Sequence, residues 1–227
     1  MSYFGAEPLL LSETERKSVI ILAGGRASRI GINKALTSLS GTPLILHVLN
    51  RSLQVTGKVL VVIGRDDDAS GFSKVLPKNI AVLRDSVPMR NPLAGILTGL
   101  ESILGTVDYS AVVPCDSPFI RPRILRHLFR VAEGHDGAVP IWPNGYIEPL
   151  HSVYEVKNTI RAIKQVLNIG DSSNRDMIKH LKDVRYVPIE ELRTYDPELR
   201  TFFNVNRPED LREAVKILDL ENADSSI

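Results

Sequence analysis

The stretch Ser18–Leu36, SVIILAGGRASRIGINKAL, begins as an apolar run, stops on the pair Gly24–Gly25, and then carries Arg26, Arg29, Gly31 and Lys34. An apolar, β-branched run of strand length that ends on glycine predicts a strand buried on both faces. The loop after it combines three glycines with three cations. Glycine lets backbone N–H groups approach a ligand closely, and arginine and lysine neutralise phosphate charge, so the loop reads as a polyphosphate cradle. The plainer alternative is a strand-to-helix turn with solvated basic side chains. No Gly-Lys-Ser/Thr follows and the G-x-G-x-x-G spacing is absent, which disfavours the Walker and dinucleotide patterns.

Working outward, apolar runs of strand length alternate with amphipathic segments. PLILHVLNRSL (43–53) places Leu44, Ile45, Val48, Leu49 and Leu53 on one helical face. KVLVVIG (58–64), a short helix over 70–76, NIAVLRD (79–85), a helix over PLAGILTGLESIL (92–104), YSAVVPCD (109–116), a helix over RPRILRHLFRVAEG (121–134) and GAVPIW (137–142) continue the alternation. This predicts an α/β, doubly wound, three-layer α/β/α fold with a Rossmann-like, mostly parallel sheet. LHSVYEV (150–156) alternates as an exposed or edge strand does and is expected to add an antiparallel strand. Two helical patches and a short strand, VRYVPI (184–189), follow. A last helix over 208 to about 219 is announced by Asn206 as N-cap with Glu209 three residues on. The expected organisation is a loose N-terminal extension over 1–17, one domain over 18–220 and a frayed tail over 221–227.

Composition restricts the function classes. The 227 residues are 43% hydrophobic and 24% charged, with 28 basic against 27 acidic residues and a net charge of +1. That balance argues against bulk binding to nucleic acid or an anionic membrane. The single cysteine, Cys115, excludes an internal disulfide and multi-cysteine metal centres, and fits a reducing cytoplasm. No apolar run reaches the roughly 18 residues of a membrane span, so a cytoplasmic, soluble enzyme is expected.

In an open parallel sheet, ligands lie beyond the carboxyl ends of the strands. The residues delivered there are Gly24 and Gly25, Asp85 and Asp116. Asp116, in VVPCDSPF, suits Mg²⁺, which takes one or two protein carboxylates together with phosphate oxygens. An aspartate before Ser-Pro also caps turns, and both readings stand at this point.

Together these segments resemble the nucleoside-diphospho-sugar transferase superfamily, and within it the molybdenum cofactor guanylyltransferases. LAGGRASRIGINKAL is similar to the opening signature, RDSVPMRNPLAGILTGL to the aspartate and Pro-Leu-Ala-Gly segment, VVPCDSPFI to the metal-binding segment and FFNVNRPEDL to the closing motif. The resemblance implies transfer of GMP from GTP to molybdopterin, with Mg²⁺ as cofactor and release of pyrophosphate. It implies that Leu22, Ala23 and Gly24 contact the guanine nucleotide, with Gly25 and Arg29 near its phosphates and Lys34 at the reacting centre. Asp85 would hold the base or ribose, a loop over Pro92, Leu93 and Gly95 would close on it, and Asp116 would bind the metal. Asn206 matches a second metal ligand of wider relatives, in competition with its reading as a helix cap. Arg29, Lys34 and Asp116 would carry the catalysis by charge neutralisation, with no protein nucleophile.

The chain departs from the family in having Asn33 where an aspartate is usual, one residue fewer between Gly25 and Lys34, an N-terminal arm and a longer segment over 171–201. The acceptor is expected around WPNGYIEPLHSVY, where Trp142 and Tyr146 could stack on a pterin and Glu148 and His151 could hydrogen-bond to it. Arg121 and Arg123 could meet acceptor phosphate. Partners would be GTP, molybdopterin or molybdenum cofactor, and other proteins of that pathway. The rival readings are a related transferase using CTP on molybdopterin or GTP on a cobinamide or sugar phosphate, and a non-catalytic module that binds GTP and delivers cofactor.

Overall fold

A computed structural model describes residues 16–24, 33–85, 91–169 and 173–224. A seven-stranded sheet runs in the order β5-β4-β1-β6-β8-β7-β9. Its strands are β1 (Lys17–Leu22), β4 (Val59–Ile63), β5 (Ala81–Arg84), β6 (Tyr109–Pro114), β7 (Gly137–Ile141), β8 (Ser152–Glu155) and β9 (Val184–Pro188). Two two-residue strands, β2 (Ser38–Leu39) and β3 (Thr42–Pro43), make a separate hairpin. The first four strands of the main sheet pair in parallel, β8 is antiparallel to both β6 and β7, and β7 is parallel to β9. The expected α/β fold with an inserted antiparallel strand is what forms.

The apolar runs split by alternate residues onto two faces, as a pleated strand requires. Val19, Ile21, Val59, Val61 and Ile63 face one core with α1 (Leu44–Leu53), α2 (Ala69–Val75) and α4 (Pro122–Ala132). Ile20, Leu22, Leu60 and Val62 face the other, under α3 (Pro92–Ile103), α5 (Val156–Asn168) and α6 (Asn174–Lys179). Between them α7 (Ile189–Leu192) adds to the first core, and α8 (Pro208–Asp224) closes a third small cluster over Leu39, Leu44 and Phe119.

Several expectations change. LHSVYEV is no edge: β8 is fully buried along most of its length in the middle of the sheet. Its polar residues are satisfied internally, Ser152 Oγ donating to the Glu148 carbonyl at 2.6 Å and Tyr154 Oη to the Pro149 carbonyl at 2.8 Å. Pro92–Gly95 is the first turn of α3 and not a loop, because Asn91 caps Ala94 N–H at 3.1 Å and Pro92 stands where its missing N–H costs nothing. Lys17 already belongs to β1, preceded by an Arg16–Asp108 ion pair; the remaining residues of the expected extension, 1–15, lie outside the described residues. The last helix runs on through Asp224. It does so because Glu221, expected in the tail, takes Arg51 at 2.6 Å and Arg121 at 2.8 Å. Among the described residues no helix is long and apolar enough to cross a membrane.

Candidate active site

The strand order places a switch point between β1 and β6. From β1 the chain winds outward to β4 and β5, then returns to the other side of β1. At such a point successive loops leave in opposite directions and open a crevice beyond the carboxyl ends. A cleft of about 1290 Å³ lies there, lined by Leu22–Gly24, Gly64–Asp67, Asp85 and Asn91–Pro92 with Gly95 on one side, and by Cys115, Asp116, Tyr146–His151, Asn204 and Asn206 on the other. Its volume exceeds that of common small-ligand pockets, about 300–1,000 Å³, and suits two substrates better than one.

On the floor, Gly24 makes a close backbone approach: a Cβ there would come within 2.8 Å of Gly64 N. The absence of a side chain lets the ends of β1 and β4 lie together. The chain leaves this point at Ala23–Gly24 and returns at Asn33, whose Oδ1 accepts from Ala35 N–H at 2.9 Å and whose Nδ2 lies 3.4 Å from the Ala23 carbonyl. The first bond caps the short 3₁₀ turn Lys34–Leu36. The second needs a donor, which an aspartate here would lack, so Asn33 ties the two ends of the loop together. Gly25 and Arg29 lie outside the described residues.

Three side chains from distant elements meet at the switch point. The Lys34 ammonium pairs with Asp116 Oδ2 and donates to Asn206 Oδ1 at 2.6 Å. Lys34 and Asp116 are 23% and 18% exposed, so a pair open to the cleft is shielded from bulk water on most sides. Asn206 does not cap α8: Asp210 Oδ2 does, accepting from Asn206 N–H and Arg207 N–H, each at 2.8 Å. Its amide oxygen is therefore free of the helix and faces the cation. Two hard oxygens converging on a positive charge are the donor set that suits a small divalent cation, which draws its other ligands from water and phosphate. Asp116 and Asn206 thus fit a metal, with Lys34 holding the cationic position between them. Among the described residues no cluster of three or more histidine, cysteine or acidic side chains competes for that role.

The other expected residues are placed as follows. Leu22 and Ala23 line the cleft at the end of β1, and Asp85 lines it with Thr98 Oγ1 3.3 Å from its Oδ1. Pro92 and Gly95 line it from the first turn of α3, whereas Leu93 is fully buried in the core beneath that helix. Gly95 also carries packing, since a Cβ would meet Leu22 Cδ2 at 3.2 Å. Burial pushes the Cys115 thiol well above its ordinary range, with the Asp116 carboxylate adding to it, so it stays protonated. In the acceptor segment, Tyr146 stands 54% exposed at the rim, and Glu148 and His151 line the wall. Trp142 lies on the far side against Phe202, donating its Nε1–H back to Glu148 at 2.8 Å. Arg121 is committed to Glu221 and Asp196, and Arg123 is exposed on α4, outside the cleft lining.

Three contributions went unread in the sequence. The loop Gly64–Asp67 follows β4 and was findable by the strand-end rule that pointed to Asp85 and Asp116. Asn204 stands two residues before Asn206 in the closing motif. Asn174 and Arg175, at the start of α6, reach the cleft only because α6 packs beside α5, and no local pattern announces them.

The chain matches the family model described as a MobA-like NTP transferase domain over residues 19–184. It is 34% identical over 204 residues to a probable molybdenum cofactor guanylyltransferase of Methanosarcina mazei, covering 88% of this chain and 90% of that one. A protein of the same name from Natronomonas pharaonis is 35% identical over 202 residues, covering 88% and 96%. The crystal structure of molybdopterin-guanine dinucleotide biosynthesis protein A from Archaeoglobus fulgidus superimposes with a TM-score of 0.76 at 30% identity, covering 89% of this chain and 98% of that one.

Proposed function

The chain belongs to the MobA-like NTP transferases, the nucleotidyltransferase family of the molybdenum cofactor guanylyltransferases, and we propose that it transfers GMP from GTP to the terminal phosphate of molybdopterin. A phosphate oxygen of the acceptor attacks the α-phosphorus of GTP; the bond to the β-phosphate oxygen breaks, and pyrophosphate leaves. The acceptor phosphate is already a nucleophile near neutral pH, which agrees with a protonated Cys115 and makes alignment and charge neutralisation the enzyme's task. The observation that carries this reading is the convergence of Lys34, Asp116 and Asn206 at the switch point of the sheet.

On this reading the nucleotide lies over Leu22–Gly24 and Asp85, with its phosphates toward Lys34. The acceptor enters from the wall formed by Tyr146–His151. Lys34 exchanges its carboxylate partner for a phosphate oxygen and holds it in line. Asp116 and Asn206 would hold Mg²⁺, which supplies Lewis-acid stabilisation of phosphate charge. Arg29 and Gly25 are proposed for the phosphates on the opening motif alone.

A nucleotide panel tests the reading. GTP with Mg²⁺ should raise the melting temperature, CTP and ATP should do so far less, and pyrophosphate release should require GTP, Mg²⁺ and molybdopterin together. Equal shifts with GTP and CTP would refute the guanine assignment. GTP binding without pyrophosphate release would favour a delivery module.

A further inference from the structure

Behind the loop that carries Asp116 lies a chain of side chains whose hydrogen-bond directions follow one from another. Asn204 Nδ2 lies 3.3 Å from the Phe202 carbonyl, which only accepts, so the Asn204 amide oxygen is the atom turned to Ser117 Oγ at 2.6 Å. An amide oxygen cannot donate, so the Ser117 hydroxyl proton points at Asn204. Ser117 Oγ then offers only lone pairs to His151 Nε2, 2.9 Å away, and that nitrogen must carry the N–H. Ser117 is fully buried and His151 is 3% exposed, with Phe202 packed edge-on to the imidazole at 5.3 Å. His151 Nδ1 is buried without a hydrogen bond, 3.7 Å from Glu148 Oε2.

Glutamate, histidine and serine in this order resemble a hydrolytic triad in composition only. The serine is buried and its proton is committed to Asn204, so it is no nucleophile. What the chain does is fasten two loops together. Val205 N–H donates to the Asp116 carbonyl at 2.8 Å, while the neighbouring Asn204 side chain is held by Ser117. The segment 204–206 is thus pinned to the Asp116 loop by both backbone and side chain, one residue short of the Asn206 oxygen that faces Lys34.

We propose that His151 is a positioning residue for nucleotidyl transfer: by donating to Ser117 it orients Asn204 and keeps the Asn206 oxygen in register with Asp116 on the cation. The inference rests on the transfer reaction proposed above. Without that donor the Ser117 hydroxyl can turn away from Asn204, the amide is released, and the spacing of the two cation-facing oxygens relaxes. Groups that orient metal ligands in this way typically cost about 10–100-fold in metal affinity or activity when removed.

The test uses the full chain with His151→Phe, His151→Gln, Ser117→Ala and the Ser117→Ala/His151→Phe double variant. Circular dichroism and melting temperature check each fold. Mn²⁺ binding to the protein alone is read by electron paramagnetic resonance, and kcat and the KM for GTP by pyrophosphate release. His151→Phe should weaken Mn²⁺ binding and lower kcat by at least about tenfold, with the KM for GTP within about threefold. Ser117→Ala should do the same, the double variant should be no worse than either single one, and His151→Gln, whose amide N–H can replace Nε2–H, should recover most of the loss. Wild-type Mn²⁺ affinity in a folded His151→Phe protein, or losses that multiply in the double variant, would overturn the inference. A wild type that binds Mn²⁺ and releases no pyrophosphate would overturn the transfer reading alone, because the Mn²⁺ comparison still decides the role of His151.

Discussion

Replacing Lys34 with alanine should separate catalysis from metal binding, because the ammonium now holds the position between Asp116 Oδ2 and Asn206 Oδ1 that a metal would take. In turnover its loss removes one preorganised positive group from the reacting phosphate. Single groups of this kind are worth about 10²–10³ in kcat, or roughly 2.7–4 kcal/mol. For a metal binding to the free protein the sign reverses. A unit charge about 4 Å from a divalent cation contributes about 2 kcal/mol of repulsion in water and about 8 at an effective dielectric constant of 20. Although Lys34 and Asp116 are only about one-fifth exposed, the flexible lysine stem lets the ammonium swing away from an incoming cation, so the lower value applies and Mn²⁺ should bind Lys34→Ala about thirtyfold more tightly. Stability should fall by only about 1–2 kcal/mol, since the carboxylate left behind can draw on cleft water. Pyrophosphate release, Mn²⁺ titration and urea unfolding read the three quantities on one preparation. A Lys34→Ala protein with kcat within threefold of wild type, or with weakened Mn²⁺ binding, would refute the assignment of this centre.

Two further changes probe the frame that holds the site. Gly99 of α3 packs on Ile20: a Cβ there would lie 2.9 Å from both Ile20 Cδ1 and Cγ2, so Gly99→Ala should cost about 1–3 kcal/mol by overpacking. Differential scanning calorimetry should show a fall of about 2–4 °C per kcal/mol, partly restored by Ile20→Val. Asp136 accepts the backbone N–H groups of Lys182 at 2.7 Å and Asp183 at 3.0 Å, and Asn158 Nδ2 at 2.6 Å. Burial raises its pKa, but these donors outweigh it, and the carboxyl titrates below the usual 3.8. A folded-state pKa below the unfolded one gives stability that is complete above the unfolded value and is lost as the pH falls through the folded one. Asp136→Ala should therefore cost about 1–3 kcal/mol at pH 7. That difference from wild type should shrink as the pH drops below the ordinary carboxylate range, as denaturant melts across pH will show; a constant difference would contradict the assigned hydrogen bonds.

Much of the fold was legible along the chain, and for a physical reason. A strand covered on both faces must be apolar throughout, and an amphipathic helix must repeat its apolar residues near 3.6, so local pattern alone marks β1, β4, β6, α1 and α4. That Gly24, Asp85 and Asp116 would line one cleft was legible because residues that follow the strands of a doubly wound sheet gather at its carboxyl edge. Where the polar residues of a strand are satisfied inside the fold the pattern misleads. Ser152 and Tyr154 gave β8 the alternation of an edge strand, yet both hydroxyls find carbonyls inside the fold.

The tertiary structure decided which distant residues meet. Lys34 reaches Asp116 across 82 positions of sequence and Asn206 across 172, a contact created by the return of the chain from β5 to β6 beside β1. Asp210, and not Glu209, reaches back to the start of α8 and leaves the Asn206 oxygen to the cation. Glu221 turns an expected tail into an anchored helix end by meeting arginines of α1 and of the segment before α4. His151 looks from the sequence like a group offered to the acceptor, and the fold turns it instead toward Ser117. Composition and period record which residues must be buried and in what local form. The partner of a hydrogen bond or of a charge depends on how strands are ordered and connected, and that ordering is a property of the whole packed chain.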